Sequence, residues 1–290
     1  MRVVSLHPDV LVATSRIWQT ACTIVRGSRP ATGAESAEGA VTSGPLTVHL
    51  SEGAAAGAET FVIDSPILPD ELEILPALLE QARFPAPRGL LATHADWDHV
   101  LAALAFPDAT LGCAASSAER MRSAPGAPQR ELRAFDEEYY LRRPRPLALG
   151  STQALDVPGG CEIGGRELAL HPAEGHTADG MAVWIGWAGV LVVGDYLSTV
   201  EIPVLGEGGS IDAYLATLER LRTLVAAAVH IVPGHGPVLD SQRALSVLEE
   251  DAAYLSALRV RGSTAQLPEG RRTKAQRAIH ATNVARALIG

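Results

Sequence analysis

Residues 93–99 read Thr93, His94, Ala95, Asp96, Trp97, Asp98, His99 (THADWDH), which puts four side chains able to bind a metal ion into six consecutive positions. They follow the apolar run GLLAT (89–93), which reads as a buried strand. His94, Asp96 and Asp98 are spaced by two, so in an extended loop they project to one side. Asp98 and His99 are adjacent and must diverge. One rigid loop cannot wrap four ligands around one ion, but it can feed two ions ~3.5–4 Å apart, the spacing of two-metal hydrolases. Trp97 then points away as a packing anchor. The following VLAALAF (100–106) is expected to start a helix with its N-terminus at the site.

The same punctuation recurs outward from this loop. FVI (61–63) ends in Asp64, LALHPAEG (168–175) in His176, VLVVG (190–194) in Asp195 and VHIVPG (229–234) in His235. In open α/β sheets the ligand site gathers at the carboxyl ends of strands. A run of apolar core has no need of such an ending, and the repetition marks these ends as one site.

The rest of the chain supplies strands and helices in alternation. Residues 1–26 read as a β-meander, and helices are predicted near 70–83, 99–105, 115–123, 130–141, 210–228, 240–259 and 273–288. Leu215, Leu218, Leu221 and Val225 recur at helical spacing and give one buried face. Asp240 is the expected N-cap of the helix behind it. Ala188 and Gly189 read as the turn between two buried strands within 181–194. No repeat and no linker divides the chain, so residues 1–290 are expected to form a single domain. Residues 28–58 are rich in Gly, Ala, Ser and Glu around one short strand (45–50) and read as a mobile surface insertion. The Pro- and Arg-rich stretch beginning at 113 is a candidate lid over 113–150.

The 290 residues are 47% apolar and 20% charged, which excludes a disordered chain or a disulfide-stapled miniprotein. A formal net charge of −9 offers no basic field for nucleic acid. Cys22, Cys113 and Cys161 form no CxxC and suggest a reducing compartment. No leader is apparent in MRVVSLHPDV, and the longest apolar run is short of the ~20 residues that span a bilayer. A soluble, cytoplasmic protein with no membrane partner is expected. Oligomeric state is not legible.

His94-x-Asp96-x-Asp98-His99, followed by Gly175-His176-Thr177, Gly194-Asp195 and Pro233-Gly234-His235-Gly236, resembles the metallo-β-lactamase superfamily. The resemblance spans residues 1 to about 260, and the presence of both His99 and the PGHG motif is most similar to the glyoxalase II and lactonase-like branch. It implies an αββα four-layer sandwich: two mixed β-sheets with helices on both outer faces, an α/β fold. It also implies that His94, Asp96 and His176 bind a first metal, that Asp98, His99 and His235 bind a second, and that Asp195 bridges them. Asp64 would tie the metal loop down through hydrogen bonds. The superfamily usually has His where this chain has Asp96. Flavodiiron proteins have Glu there, and the corresponding domains of DNA-uptake channel proteins have Asp. Three carboxylates, two dications and a bridging hydroxide then sum to zero charge, where the usual imidazole would leave one positive charge. Zinc is the expected metal, with Mn or Fe favoured more than usual by the added oxygen ligand. The activity optimum is expected to shift alkaline.

The reaction so implied is attack of a metal-bridging hydroxide on an ester, thioester, lactone or lactam of a small molecule. Asp98 would orient the nucleophile and pass its proton to the leaving group. Tyr196, directly after Asp195, is a candidate oxyanion donor. A phosphodiesterase or nuclease at the same metals is the alternative, disfavoured by the acidic balance. Flavodiiron-type redox chemistry would need a flavodoxin-like domain, for which the chain has no room. His7, His49, His171, His230 and His280 are expected to be structural, and Asp179 a turn residue. Arg142, Arg143 and Arg145 beside Tyr139 and Tyr140 are either a solvated face or a lid that grips an anionic substrate group. Arg271, Arg272, Lys274 and Arg277 read as a surface cluster.

Overall fold

Two mixed β-sheets lie face to face, each covered on its outer side by helices; the computed structural model describes residues 1–28, 57–150 and 152–287. The expected insertion at 28–58, with its strand at 45–50, falls almost wholly outside the described residues.

The first sheet has seven strands in sequence order: β1 (Arg2–His7), β2 (Val10–Thr14), β3 (Ala21–Gly27), β4 (Glu59–Ile63), β5 (Gly89–Ala92), β6 (Thr110–Ala114) and β7 (Gln153–Leu155). β1 to β4 pair antiparallel as a meander, and β4 to β7 pair parallel. The second sheet comprises β8 (Gly159–Ile163), β9 (Arg166–Pro172), β10 (Met181–Ile185), β11 (Val190–Val192) and β12 (His230–Val232), in the order β12-β11-β10-β9-β8. β11 and β12 are parallel; the others are antiparallel. Gly189, at φ 61°, makes the β10–β11 turn where its missing Cβ matters.

Among the described residues, seven α-helices follow the expected positions: α1 (Pro69–Gln81), α2 (Ala102–Ala105), α3 (Ala115–Ser123), α4 (Ala127–Glu138), α5 (Ile211–Ala227), α6 (Ser241–Arg261) and α7 (Lys274–Ala287). α1 to α4 pack on the first sheet through Leu72, Leu75, Leu104, Ala118 and Phe135. α5 and α6 pack on the second through Leu218, Leu221, Val247 and Leu255. Between the sheets, Val10, Val12, Ile63 and Leu91 meet Leu170, Val183, Val190 and Val232. These three apolar layers define an αββα sandwich. Burying one such side chain contributes roughly 1.5–3 kcal/mol, so the layers fix where the strand ends fall. Asp240 caps α6 as its sequence position implies, accepting from the Arg243 amide at 2.7 Å.

The basic cluster before α7 is not wholly at the surface. Arg271 is buried, and its Nη1 donates to Asp251 Oδ1 at 2.6 Å and to the Ser198 and Glu201 carbonyls at 2.9 Å each. It ties the loop after Asp195 to α6. A buried guanidinium persists only when paired in this way. The three cysteines are free thiols, and no described helix is long and apolar enough to cross a membrane.

Candidate metal centre

The five strand ends meet at one edge of the sandwich. β4 and β5 deliver Asp64 and His94 from the first sheet, and β9, β11 and β12 deliver His176, Asp195 and His235 from the second. The metal loop is not extended throughout, because residues Trp97–His99 wind into a single 3₁₀ turn. That turn, rather than alternation, swings Asp98 and His99 away from His94 and Asp96. Trp97 packs edge-on against Trp18 and tilted against Phe135, with ring centroids 5.6 and 4.8 Å away. The helix expected after the loop shrinks to the four residues of α2, and the Leu101 amide is taken by Ser65 Oγ at 3.0 Å. Ser65 Oγ in turn donates to the Asp98 carbonyl at 2.8 Å.

Asp195 sits between two groups of side chains. Its Oδ2 lies 3.4 Å from His176 Nε2 and 3.8 Å from His94 Nε2. Its Oδ1 lies 3.1 Å from His99 Nε2 and 3.4 Å from His235 Nε2. Asp96 Oδ2 joins the first group, 3.3 Å from His176 Nε2 and 3.5 Å from His94 Nε2. Asp98 Oδ2 joins the second, 3.4 Å from His235 Nε2 and 3.7 Å from His99 Nε2. All seven expected ligands are thus brought together. His94, His176 and Asp195 form one candidate metal group, and Asp98, His99 and His235 the other. Gly234 permits the approach: a Cβ there would collide with Asp195 Oδ1.

The far nitrogen of each of these four imidazoles faces an acceptor. His176 Nδ1 is 2.8 Å from the Val204 carbonyl and His235 Nδ1 is 3.1 Å from the Trp18 carbonyl. His99 Nδ1 is 3.0 Å from Asp64 Oδ2, close enough to pair although off the line of a well-aligned hydrogen bond. Thr93 Oγ1 gives its proton to Asp64 Oδ2, so it accepts from His94 Nδ1 at 3.1 Å. Acceptors at Nδ1 fix the proton there and leave each Nε2 lone pair for the centre. Nε2 of His94 and His99, and Oδ1 of Asp195, are buried with no hydrogen-bond partner among the described residues. Orphaned polar atoms of this kind need an explanation, and a bound cation is one. Divalent ions therefore suit the residues present.

Electrostatics agree with that donor set. Burial pushes the Asp195 carboxyl up, but His235, His99 and His94 hold it well below the usual range. Burial would lower His176, yet the Asp96 hydrogen bond and the Asp195 charge raise it to about 9. His99 and His235 are likewise desolvated, then raised by surrounding carboxylates.

Asp64 pins the loop, accepting from the Thr93 amide at 2.8 Å and from Thr93 Oγ1 at 2.9 Å. Trp18 and Gln19 both adopt left-handed backbone, φ 53° and 54°, in the turn that presents the Trp18 carbonyl to His235. Such strain in non-glycine residues costs of order 1–3 kcal/mol each and persists only where the surroundings enforce it.

Several expectations are corrected. Tyr196 is not free to meet an oxyanion: it is 2% exposed, and its hydroxyl accepts from the His176 amide at 3.0 Å and donates to the Ala173 carbonyl at 3.3 Å. Asp179 is more than a turn residue. It is buried, takes the Ala95 amide on Oδ2 at 2.9 Å and takes Arg120 on Oδ1 at 3.0 Å. Arg143 does not close over the site; it is paired through two nitrogens with Asp136, and with Arg145 it lines a cleft beside Pro69, Leu72 and Leu104. The 113–150 stretch supplies instead Arg120, whose Nη1 lies 2.7 Å from Asp96 Oδ1. Sequence reading missed Arg120, although the added carboxylate at 96 was itself a signal that a cation is needed nearby.

Comparison with known proteins accords with this geometry. The sequence profile of the metallo-β-lactamase superfamily matches residues 57–235. A Caenorhabditis elegans protein described as a beta-lactamase-like protein 2 homolog is 33% identical over 106 residues, 35% of this chain and 33% of the worm protein. The match thus spans only a third of that relative's length. Among solved structures, the metallo-beta-lactamase family protein TTHA1429 from Thermus thermophilus superposes with a TM-score of 0.60 at 19% identity, over 88% of this chain and 83% of that one. TTHA1623, solved in a di-iron-bound form, gives a TM-score of 0.52 at 18% identity, over 81% and 97%. With the profile covering more than half its length and its strand ends converging as described, the chain belongs to the metallo-β-lactamase superfamily, whose members are generally metal-dependent hydrolases.

Proposed function

We propose that the centre holds two divalent ions, zinc in both positions, and hydrolyses an ester, thioester, lactone or lactam of a small molecule. The observation that carries this reading is the arrangement around Asp195: four imidazoles with Nδ1 committed elsewhere turn their Nε2 atoms toward its two oxygens. His94, Asp96 and His176 would hold one ion, Asp98, His99 and His235 the other, and Asp195 both. Iron is the second choice of metal, since carboxylates make up three of the seven ligands and a structural neighbour is di-iron-bound.

When bound, two such ions would supply a hydroxide nucleophile and a Lewis acid for a carbonyl. The protein does the rest. Asp98 is buried in the centre with Oδ2 3.4 Å from His235 Nε2, where it could orient an attacking water and carry its proton to the leaving group. Asp64, Thr93, Val204 and Trp18 fix the imidazoles, so no reorganisation is needed during reaction. Tyr214 donates to the Asp195 carbonyl at 3.0 Å and holds the central residue's backbone. Tyr196 positions His176.

A carbonyl substrate fits better than a phosphodiester. Arg120, beside the centre, is already engaged by Asp96, Asp179 and, at 3.7 Å, Glu207, and phosphate affinity comes mostly from free cations. The test is a panel assayed with zinc-loaded and chelator-stripped protein: p-nitrophenyl acetate, an acyl-glutathione thioester, a lactone, nitrocefin and bis-p-nitrophenyl phosphate. Zinc-dependent cleavage of a carbonyl substrate is expected; cleavage of the phosphodiester alone would overturn the assignment.

A further inference from the structure

Asp96 differs from the other candidate ligands in what holds it. Each imidazole is oriented by a neutral backbone or hydroxyl group or by Asp64, whereas Asp96 is oriented by a cation. Arg120, from the middle of α3, places Nη1 2.7 Å from Asp96 Oδ1 and 3.0 Å from Asp179 Oδ1. Asp179 is itself buried and fixed by the Ala95 amide, one residue before Asp96. Arg120 is thereby clamped from below, and only Asp96 Oδ2 faces His94 and His176.

This has a chemical consequence. An imidazole offers one donor atom, but a free carboxylate offers two and can chelate or swing between ions. A charge-assisted bond to one carboxylate oxygen removes that freedom. It also offsets the negative charge that Asp96 adds to a centre already containing Asp98 and Asp195. We infer that Arg120 is a positioning residue that makes Asp96 act as a single-atom ligand of the first metal, and that Asp96 and Arg120 work as a unit in place of one histidine. The inference rests on the two-ion reading above.

Zinc stoichiometry and stepwise affinity, read by competition with a chromogenic chelator, test this without recourse to turnover. Four proteins are compared: wild type, Arg120→Met, Asp96→His, and the double variant. Arg120→Met is expected to weaken one of two zinc sites by about 10–100-fold, the usual effect of losing a partner of a metal ligand, and to leave the other within threefold. In the Asp96→His background the same change is expected to cost less than threefold. Arg120→Lys, which keeps the charge in a less demanding side chain, gives an intermediate loss and serves if the Met variant does not fold. Equal losses in both backgrounds would show that Arg120 acts on the loop through Asp179 and would overturn the inference. So would an unchanged affinity in Arg120→Met. A wild-type chain that takes up no zinc would instead remove the two-ion reading itself.

Discussion

Replacing Tyr196 by Phe separates two roles that its position beside Asp195 allows. The structure gives its hydroxyl two partners, the His176 amide at 3.0 Å and the Ala173 carbonyl at 3.3 Å, in a site only 2% exposed. Removing the oxygen leaves both without that bond and admits no replacement water. A buried polar group so orphaned costs about 1–3 kcal/mol. The shorter bond should lie toward the upper end and the longer toward the lower, so the loss totals about 2–4 kcal/mol. For a chain of this size that is roughly 4–8 °C in the thermal midpoint. Catalysis should suffer little, because the hydroxyl faces backbone and not substrate: kcat on whichever panel substrate is cleaved should fall less than about tenfold, with its pH profile unmoved. Differential scanning calorimetry beside steady-state kinetics reads both. An unaltered midpoint with kcat down about 10²–10³-fold, the signature of a lost oxyanion donor, would refute the reasoning.

Other perturbations probe the centre from different sides. Asp64→Asn takes away the carboxylate that faces His99 Nδ1 and Thr93; zinc affinity of one site should drop about 10–100-fold, seen by chelator competition, and an unchanged affinity would count against that role. Asp96→His adds one positive charge to the ligand set and should move the acidic limb of the pH–rate profile down by on the order of one unit; an upward shift would contradict the charge argument. Chelator-stripped protein should lose stability as pH rises from 6.5 toward 9. His176 is raised in the fold from 6.5 to about 9, so its contribution is complete below 6.5 and gone above 9. At about 1.36 kcal/mol per unit the loss is about 3 kcal/mol, and zinc-loaded protein should not show it. Thermal melts across that range with and without zinc decide.

The parts of this site legible in the sequence are those written in short range. A ligand placed just past an apolar strand is visible in one dimension, because the strand ends where the buried run ends. That made Asp64, His94, His176, Asp195 and His235 readable, and the same logic of periodicity and capping located α5 and Asp240. What stayed hidden is carried by partners far apart in the chain. Asp179 meets Ala95 across 84 positions and Arg120 across 59; no spacing rule connects them. Arg271 looked like one of several surface cations because the residues that bury it, Asp251 and the Ser198 and Glu201 carbonyls, belong to other elements. Tyr196 was misread for a related reason: adjacency to Asp195 along the strand end says nothing of where a ring points, and its hydroxyl turned back into the core to hold His176. Alternation also failed at Trp97–His99, where a 3₁₀ turn replaced the extended loop.

The most direct measurement is a crystal structure of zinc-loaded protein with anomalous data collected on either side of the zinc edge. Two peaks about 3.5–4 Å apart are predicted, one on each side of the Asp195 carboxylate, with Asp96 bound to the first through a single oxygen. A lone peak, or none, with the four Nε2 atoms still turned only toward the Asp195 carboxylate, would contradict the two-ion centre.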